Sequence, residues 1–360
     1  MACTRLSHRL VVASAFALLA SAAPSSAGEW FPLKVDIWDP PFDMSSPRKQ
    51  VEYTPLAKAD APYKICVSFP HLKDAYWLGV DYGIIDEARR LGVKVQLLEA
   101  GGYTELNKQI AQIEDCTSSG AKAIIIGGIS YDGLNNVIAE LTKKGIPVVD
   151  VINGMSSPNV AAKSLVSFAD MGATAGRFLA KAHPAGSPAV KVAWLPGPAG
   201  AGWVESGNKG FMEAVKGTAV DVVDTKYGDT GKEVQAKLVE DVLQAHPDLN
   251  YIAGTAVTVE AAVPILRARG LTDKVKLIAY YYTPGVDQYI RRGSVLAAPT
   301  DSPVIQGRIA LDQAVRLVEG KLQYKHVGPI IQVVTKDNVN ALDMTTTLAP
   351  TSFKPTFSVD

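Results

Sequence analysis

The residues with the most chemical potential in this chain are aromatic rings. Lys73-Asp74-Ala75-Tyr76-Trp77 closes a strand-like run, Tyr63 to Phe69, and opens an amphipathic run, Leu78 to Leu91. Two rings and a carboxylate therefore stand where a strand hands over to a helix, which is where open α/β sheets bind ligands. The pattern recurs along the chain. Tyr103 follows the second strand-like run, Tyr131 the third, and Trp203 the first of a later unit, while Tyr280-Tyr281-Tyr282 ends the last strand of that unit and Phe168 lies near the first crossing between units. Two juxtaposed units would bring these strand ends to one crevice. A cluster of rings suits a ligand carrying methyl groups and a positive nitrogen. A sugar would instead require more Asp, Asn and Arg partners around its stacked rings. Asp74 and Asp301 are the carboxylates best placed for polar contacts. For any single ring, packing a helix onto its sheet is the competing interpretation.

A catalytic set is not visible. His8, His71, His183, His246 and His326 are scattered, with no HExxH and no metal-ligand spacing. No GxSxG elbow occurs. The loop Gly197-Pro198-Ala199-Gly200-Ala201-Gly202-Trp203 sits between a strand and a helix but matches neither GxGxxG nor GxxxxGK[ST], so it is expected to be a binding loop or a plain turn rather than a phosphate cradle. No cofactor or metal is expected.

Alternating elements must position the rings. Strands are expected over 93–98, 121–126 and 146–151, with helices over 104–117, capped by Thr104, and 131–144. A second unit runs from a helix over 171–182 through strands at 190–195, 221–226, 251–255 and 275–281, with helices over 205–215, 231–245 and 259–269 between them. A helix over 286–292, a strand over 294–298 and a helix over 303–319 then return to the first unit. Strands alternating with helices of this length mean βαβ crossovers and parallel sheets. The expected fold class is α/β: two Rossmann-like lobes with parallel sheets joined by a multi-strand hinge. The expected division is a signal peptide over 1–27, an irregular extension over 28–62, one lobe over 63–168 plus 283–325, and a second over 169–282 plus 326–360.

Composition narrows the class. The chain is 47% apolar with zero net charge, an ordinary globular balance that argues against a nucleic-acid partner. Arg5 and Arg9, the apolar stretch Leu10 to Ala23 and Ser25-Ser26-Ala27 form an export signal cleaved near Ala27. The apolar stretch is short for a membrane span, although a retained anchor is the alternative. Cys3 would leave with the signal. Cys66 and Cys116 remain as an even pair in an oxidising compartment, on elements that pack together in a βαβαβ unit; either they form a disulfide or they are two buried thiols.

Two crossing α/β units resemble the type I periplasmic binding proteins of the ribose-binding kind. The segments Cys66-x-x-x-Pro70-x-Leu72-Lys73-Asp74-x-Tyr76-Trp77, Leu98-Glu99-Ala100-Gly101-Gly102-Tyr103 and Gln112-Ile113-x-x-Cys116 carry a narrower resemblance, joined by Leu195-Pro196-Gly197-Pro198, Ala253-Gly254-Thr255-Ala256 and Phe353-Lys354-Pro355. Over about residues 54–355 the chain resembles the periplasmic trimethylamine N-oxide sensor proteins. The resemblance implies a periplasmic, non-enzymatic protein. Such a protein binds the N-oxide between its lobes and signals to a membrane sensor histidine kinase of the TorS type. It implies a cage of Tyr76, Trp77, Tyr103 and Tyr281 with Asp74 nearby. That family carries Trp where this chain has Phe168, which keeps the apolar wall but loses an indole N–H. A transporter-feeding receptor for a sugar or related solute is the alternative in the same fold, and an exported enzyme the alternative outside it.

Overall fold

The computed structural model describes residues 1–2 and 30–360. The expected export signal and its cleavage point near Ala27 lie outside the described residues. The chain begins with a hairpin, β1 (Leu33–Trp38) and β2 (Arg48–Tyr53), and continues through β3 (Lys64–Phe69), α1 (Ala75–Leu91), β4 (Lys94–Glu99), α2 (Leu106–Ser118), β5 (Ala123–Ile126), α3 (Asn135–Lys143), β6 (Val148–Val151) and β7 (Ala162–Ser164). It then follows α4 (Phe168–Ala182), β8 (Val190–Gly197), α5 (Gly202–Val215), β9 (Val220–Tyr227), α6 (Lys232–Ala245), β10 (Tyr251–Gly254), α7 (Ala256–Ala268), β11 (Lys276–Ala279), α8 (Pro284–Arg291) and β12 (Ala297–Thr300). Last come α9 (Pro303–Val318), β13 (His326–Pro329), β14 (Gln332–Thr335), α10 (Met344–Thr347) and β15 (Ser358–Val359).

These strands form two sheets. The first has nine strands in the order β15-β4-β3-β5-β6-β7-β13-β1-β2, and the second has six in the order β14-β12-β11-β10-β8-β9. Short runs such as Ala-Ile-Ile-Ile in β5 and Val-Val-Asp-Val in β6 are buried at every position, as parallel strands covered on both faces must be. The inner strands are parallel: β3 pairs with β4 and β5, and β10 pairs with β8 and β11. The α/β class with two parallel-centred lobes is thus observed, with antiparallel strands at the margins.

The lobe boundaries differ from those expected. β12 pairs with β11 and β14, so α8 is the crossover between two strands of the second sheet, and the chain returns to the first sheet only at α9. β13 then lies in the first sheet and β14 in the second. Sheet membership therefore changes near Asp301-Ser302 and after Pro329, rather than at residues 283 and 326, and the tail expected in the second lobe returns to the first sheet at β15. Periodicity marks a strand or a helix but not which sheet receives it.

The segment expected to be irregular also contains structure. β1 pairs antiparallel with both β2 and β13, and Val35, Trp38 and Tyr53 are buried. Most of β2 is exposed, which hides its strand character behind charge. α2 starts at Leu106 without a side-chain cap, and the Thr104 hydroxyl instead donates to the Glu105 carboxylate at 3.1 Å.

Return of α9 to the first lobe depends on close helix packing against α1. A Cβ at Gly83 would fall on the Val304 carbonyl, and one at Gly307 on the Val80 carbonyl. The backbones can meet there only because both positions lack side chains. Cys66 of β3 and Cys116 of α2 are joined as a disulfide, with Cα atoms 5.8 Å apart.

Candidate functional site

The rings reach one place because helices begin where strands end. Tyr76 and Trp77 occupy the first turn of α1, capped by Asp74, whose carboxylate accepts from the Trp77 backbone N–H at 3.0 Å. Phe168 is the first residue of α4, capped by the Ser167 hydroxyl, which accepts from the Asp170 N–H. Trp203 lies in the first turn of α5, and Tyr281 just beyond β11. Tyr103 follows β4 through the Gly101-Gly102 turn, at which both glycines have positive φ.

Between the sheets these residues line a small, tightly walled pocket, together with Asp74, Ile152, Asn153 and Thr230. Tyr76 meets Tyr281 edge-on at 5.0 Å, Trp203 meets Tyr281 edge-on at 6.1 Å, and Phe168 and Tyr103 approach Trp203 at 6.1 and 6.2 Å. Trp77 packs behind on Phe69 at 4.6 Å. Of the expected rings, Tyr76, Trp77, Tyr103, Phe168, Trp203 and Tyr281 are therefore together in space.

The other singled-out residues sit elsewhere. Asp301 does not line the pocket. It lies behind Tyr76, whose hydroxyl donates to its carboxylate at 2.6 Å, with Gln306 Nε2 donating at 2.8 Å. Its place is to orient Tyr76. Tyr280 is fully buried and donates to the Trp203 carbonyl at 3.0 Å, Tyr282 donates to Asp287 at 2.6 Å, and Tyr131 is 45% exposed. Of three consecutive tyrosines, only the middle one reaches the pocket.

Sequence inspection missed Ile152, Asn153 and Thr230. Asn153 Nδ2 donates to the Tyr103 hydroxyl at 3.0 Å and to the Gly128 carbonyl at 2.8 Å, fixing the Tyr103 ring. Ile152 adopts φ 68°, a left-handed conformation that costs a β-branched residue about 1–3 kcal/mol. Such strain concentrates at ligand sites. An Ile-Asn pair after a buried strand was the available signal, but no pattern marks it.

Polar contacts close the pocket between lobes. His71 Nδ1 accepts from the Lys73 N–H at 3.2 Å, so Nε2 carries the hydrogen and donates to the Thr230 hydroxyl at 2.9 Å. Thr230 also hydrogen-bonds the Asp74 carboxyl. Lys73 pairs with Asp229 at 3.5 Å beside this bond. Burial lowers the His71 pKa, favouring the neutral ring. Burial raises the Asp74 carboxyl above its usual range, against the opposing pull of His71 and of backbone N–H groups. A cation seated beside Asp74 would favour the ionised form. Among the described residues no acidic, His or Cys cluster could hold a metal ion, and no helix is long and apolar enough to cross a membrane.

A family model described as a periplasmic binding protein domain matches residues 65–322. The chain is a periplasmic binding protein. Proteins of this family bind solutes rather than transform them. This binding protein is 36% identical over 307 residues to periplasmic protein TorT of Escherichia coli K12, covering 84% of this chain and 86% of that one. It is similar to a solved ABC transporter solute binding protein from Bradyrhizobium sp. BTAi1 with bound bis-tris, at 63% identity and a TM-score of 0.79, over 92% of this chain and all of that one. It is also similar to the complex of the TorS sensor domain with TorT in the presence of trimethylamine N-oxide, at 35% identity and a TM-score of 0.75, over 82% of this chain and 99% of that one.

Proposed function

We propose that this periplasmic binding protein closes over a compact methylated amine or amine N-oxide, with trimethylamine N-oxide the first candidate. The observation that carries the proposal is the interlobe pocket itself: rings from several helix starts and loops surround a small space, with one carboxylate, Asp74, at its margin. Ring faces attract a methylated, positively polarised nitrogen, and desolvation strengthens that attraction to about 2 kcal/mol for a well-placed ring. A pyranose would leave most of its hydroxyls against carbon here, each unsatisfied hydroxyl costing about 1–3 kcal/mol. Similarity to TorT supports the N-oxide, and the tertiary amine bis-tris held by the Bradyrhizobium relative supports the amine class.

The output of closure is a sensor histidine kinase of the TorS type. Ligand energy spent on one lobe arrangement biases the partner that reads it. A second interpretation, delivery of the solute to an ABC permease, draws on the Bradyrhizobium relative's description.

Calorimetric titration of the mature protein with trimethylamine N-oxide, trimethylamine, glycine betaine and ribose tests the ligand class. Saturable binding of an amine compound with no ribose heat is the expected result; ribose binding alone would reverse the assignment. Co-purification with a TorS-type sensor domain tests the partner, and capture by a permease instead would favour delivery.

A further inference from the structure

A second, larger groove lies at the hinge. Val166-Ser167, which links β7 to α4, and Pro329 to Ile331, which links β13 to β14, line a space of about 790 Å³. Both lobes supply its walls. The β1–β2 hairpin contributes Trp38 and Arg48, and one face of α4 contributes Asp170, Arg177, Phe178 and Lys181. Arg48 Nη2 pairs with Asp170 at 2.7 Å, so an ion pair ties the two walls together. The Arg48 guanidinium lies over the Trp38 ring at 5.6 Å, and Trp38 stacks on His326 of β13 at 4.1 Å.

Several groups here are unused by the fold. Trp38 is 4% exposed, and its Nε1–H has no acceptor. Leaving such a donor unmatched costs about 1–3 kcal/mol. Arg177 and Lys181 are exposed, and among the described residues neither pairs with a carboxylate; Arg177 Nη2 donates to the Thr174 hydroxyl at 2.8 Å. Phe178 and Ile331 remain partly exposed beside them. The groove therefore offers two unpaired cations, a buried N–H donor and an apolar strip. It is also connected to the ring pocket. Phe168 faces that pocket, and two residues later Asp170 holds Arg48, so the first turn of α4 borders both cavities.

We propose that this groove docks a segment of a partner protein in which carboxylates stand beside apolar side chains, and that its occupancy depends on the arrangement of the lobes. Carboxylates would meet Arg177 and Lys181, apolar side chains would cover Phe178 and Ile331, and an oxygen would match the Trp38 N–H. A partner carboxylate also competes with Asp170 for Arg48, exchanging a tie between the walls for a tie to the partner. Solute and partner then alter each other's affinity, since coupling between two sites is reciprocal. The proposal rests on lobe closure as the signal in the function given above, not on which solute closes the lobes.

The test uses a capped hexapeptide of alternating glutamate and leucine, and its glutamine counterpart, titrated into the mature protein. The acidic peptide should bind, weaken as salt rises and exceed the glutamine peptide at least tenfold. Arg177→Glu combined with Lys181→Glu should lower its affinity about tenfold, whereas Lys143→Glu, an exposed reversal on α3, should leave it unchanged. A readout on wild type alone removes dependence on variant folding: the Trp38 indole N–H resonance should move as the acidic peptide is added. No binding, equal binding of both peptides, equal losses in the two reversals, or a static Trp38 resonance would each overturn the groove. Saturating trimethylamine N-oxide should change the peptide's affinity about fivefold or more; bound N-oxide with unchanged peptide affinity would overturn the dependence on the lobes. Failure of the N-oxide to bind would remove the solute proposed above, and the peptide titrations would still decide the groove.

Discussion

The position of the pocket wall depends on a residue outside the pocket. Gly127 follows β5, and its N–H donates to the Ser68 carbonyl at 2.9 Å. An added Cβ would stand 2.9 Å from Trp77 Cζ3 and nearer still to Cη2. Ordinary carbon contacts lie at about 3.5–4.0 Å, so the indole edge must retreat by about 1 Å. Phe69 blocks retreat into the core, with its ring centre 4.6 Å from that of Trp77. The pocket is the open side. Gly127 does not occupy a positive φ, so Gly127→Ala tests the steric effect alone. Overpacking costs about 1–3 kcal/mol, and relief into free space puts this substitution near 1 kcal/mol, a fall in melting temperature of about 2–4 °C. The displaced ring should weaken trimethylamine N-oxide binding by about 1–2 kcal/mol, or roughly 5–30-fold. Thermal melts and calorimetric titration measure both. A lowered melting temperature with unchanged affinity would refute the claim that Trp77 forms the wall, and no change in either would refute the packing argument.

Other perturbations follow from the same structure. Thr230→Val removes the His71–Thr230 bond across the cleft, so affinity should fall about three- to tenfold at nearly constant melting temperature; equal affinity would mean that this contact does not favour closure. Asp81 is buried in α1 and accepts from the Thr356 N–H at 3.0 Å, and burial raises its carboxyl from 3.8 to about 7. The folded state thus holds a proton that the unfolded chain has released, so this contribution is present below pH 3.8 and is lost as pH rises through about 7. Asp81→Asn should therefore stabilise the protein at pH 8 far more than at pH 4, read as urea midpoints; a constant difference would contradict the burial argument. Replacing both Cys66 and Cys116 by Ala opens a cross-link between residues 50 apart, and chain entropy sets the loss at about 4 kcal/mol. Chemical denaturation checks this, and a loss under about 1 kcal/mol would show that the unfolded chain is not restrained by the bond.

The sequence made the layering legible because buried parallel strands such as Ala-Ile-Ile-Ile leave unbroken apolar runs between helical periods. The pocket rings were legible for a related reason: strand ends become helix starts, so Tyr76, Trp77, Phe168 and Trp203 are marked by position as well as type. What periodicity lacks is direction. Tyr280, Tyr281 and Tyr282 look alike in sequence, yet alternate faces send only Tyr281 to the pocket. Asp301 stands near the rings but is turned behind Tyr76. Asn153 is a loop residue whose part in fixing Tyr103 no periodicity marks, Thr230 is one whose role exists only after the lobes meet, and β2 conceals its pairing because its exposed face is charged.

Both outer segments of the chain join the same sheet: the β1–β2 hairpin covers one edge and β15 the other. Their first consequence is protection, since unpaired strand edges invite association between copies. The second concerns measurement. A tag or dye at either end travels with the first lobe and leaves the second unburdened. Phe357, 51% exposed in the tail, and Met212, 40% exposed on α5, offer one attachment point on each lobe. Labels at these two sites would convert the opening and shutting of the cleft into an optical signal, making the protein a reporter of its own ligand.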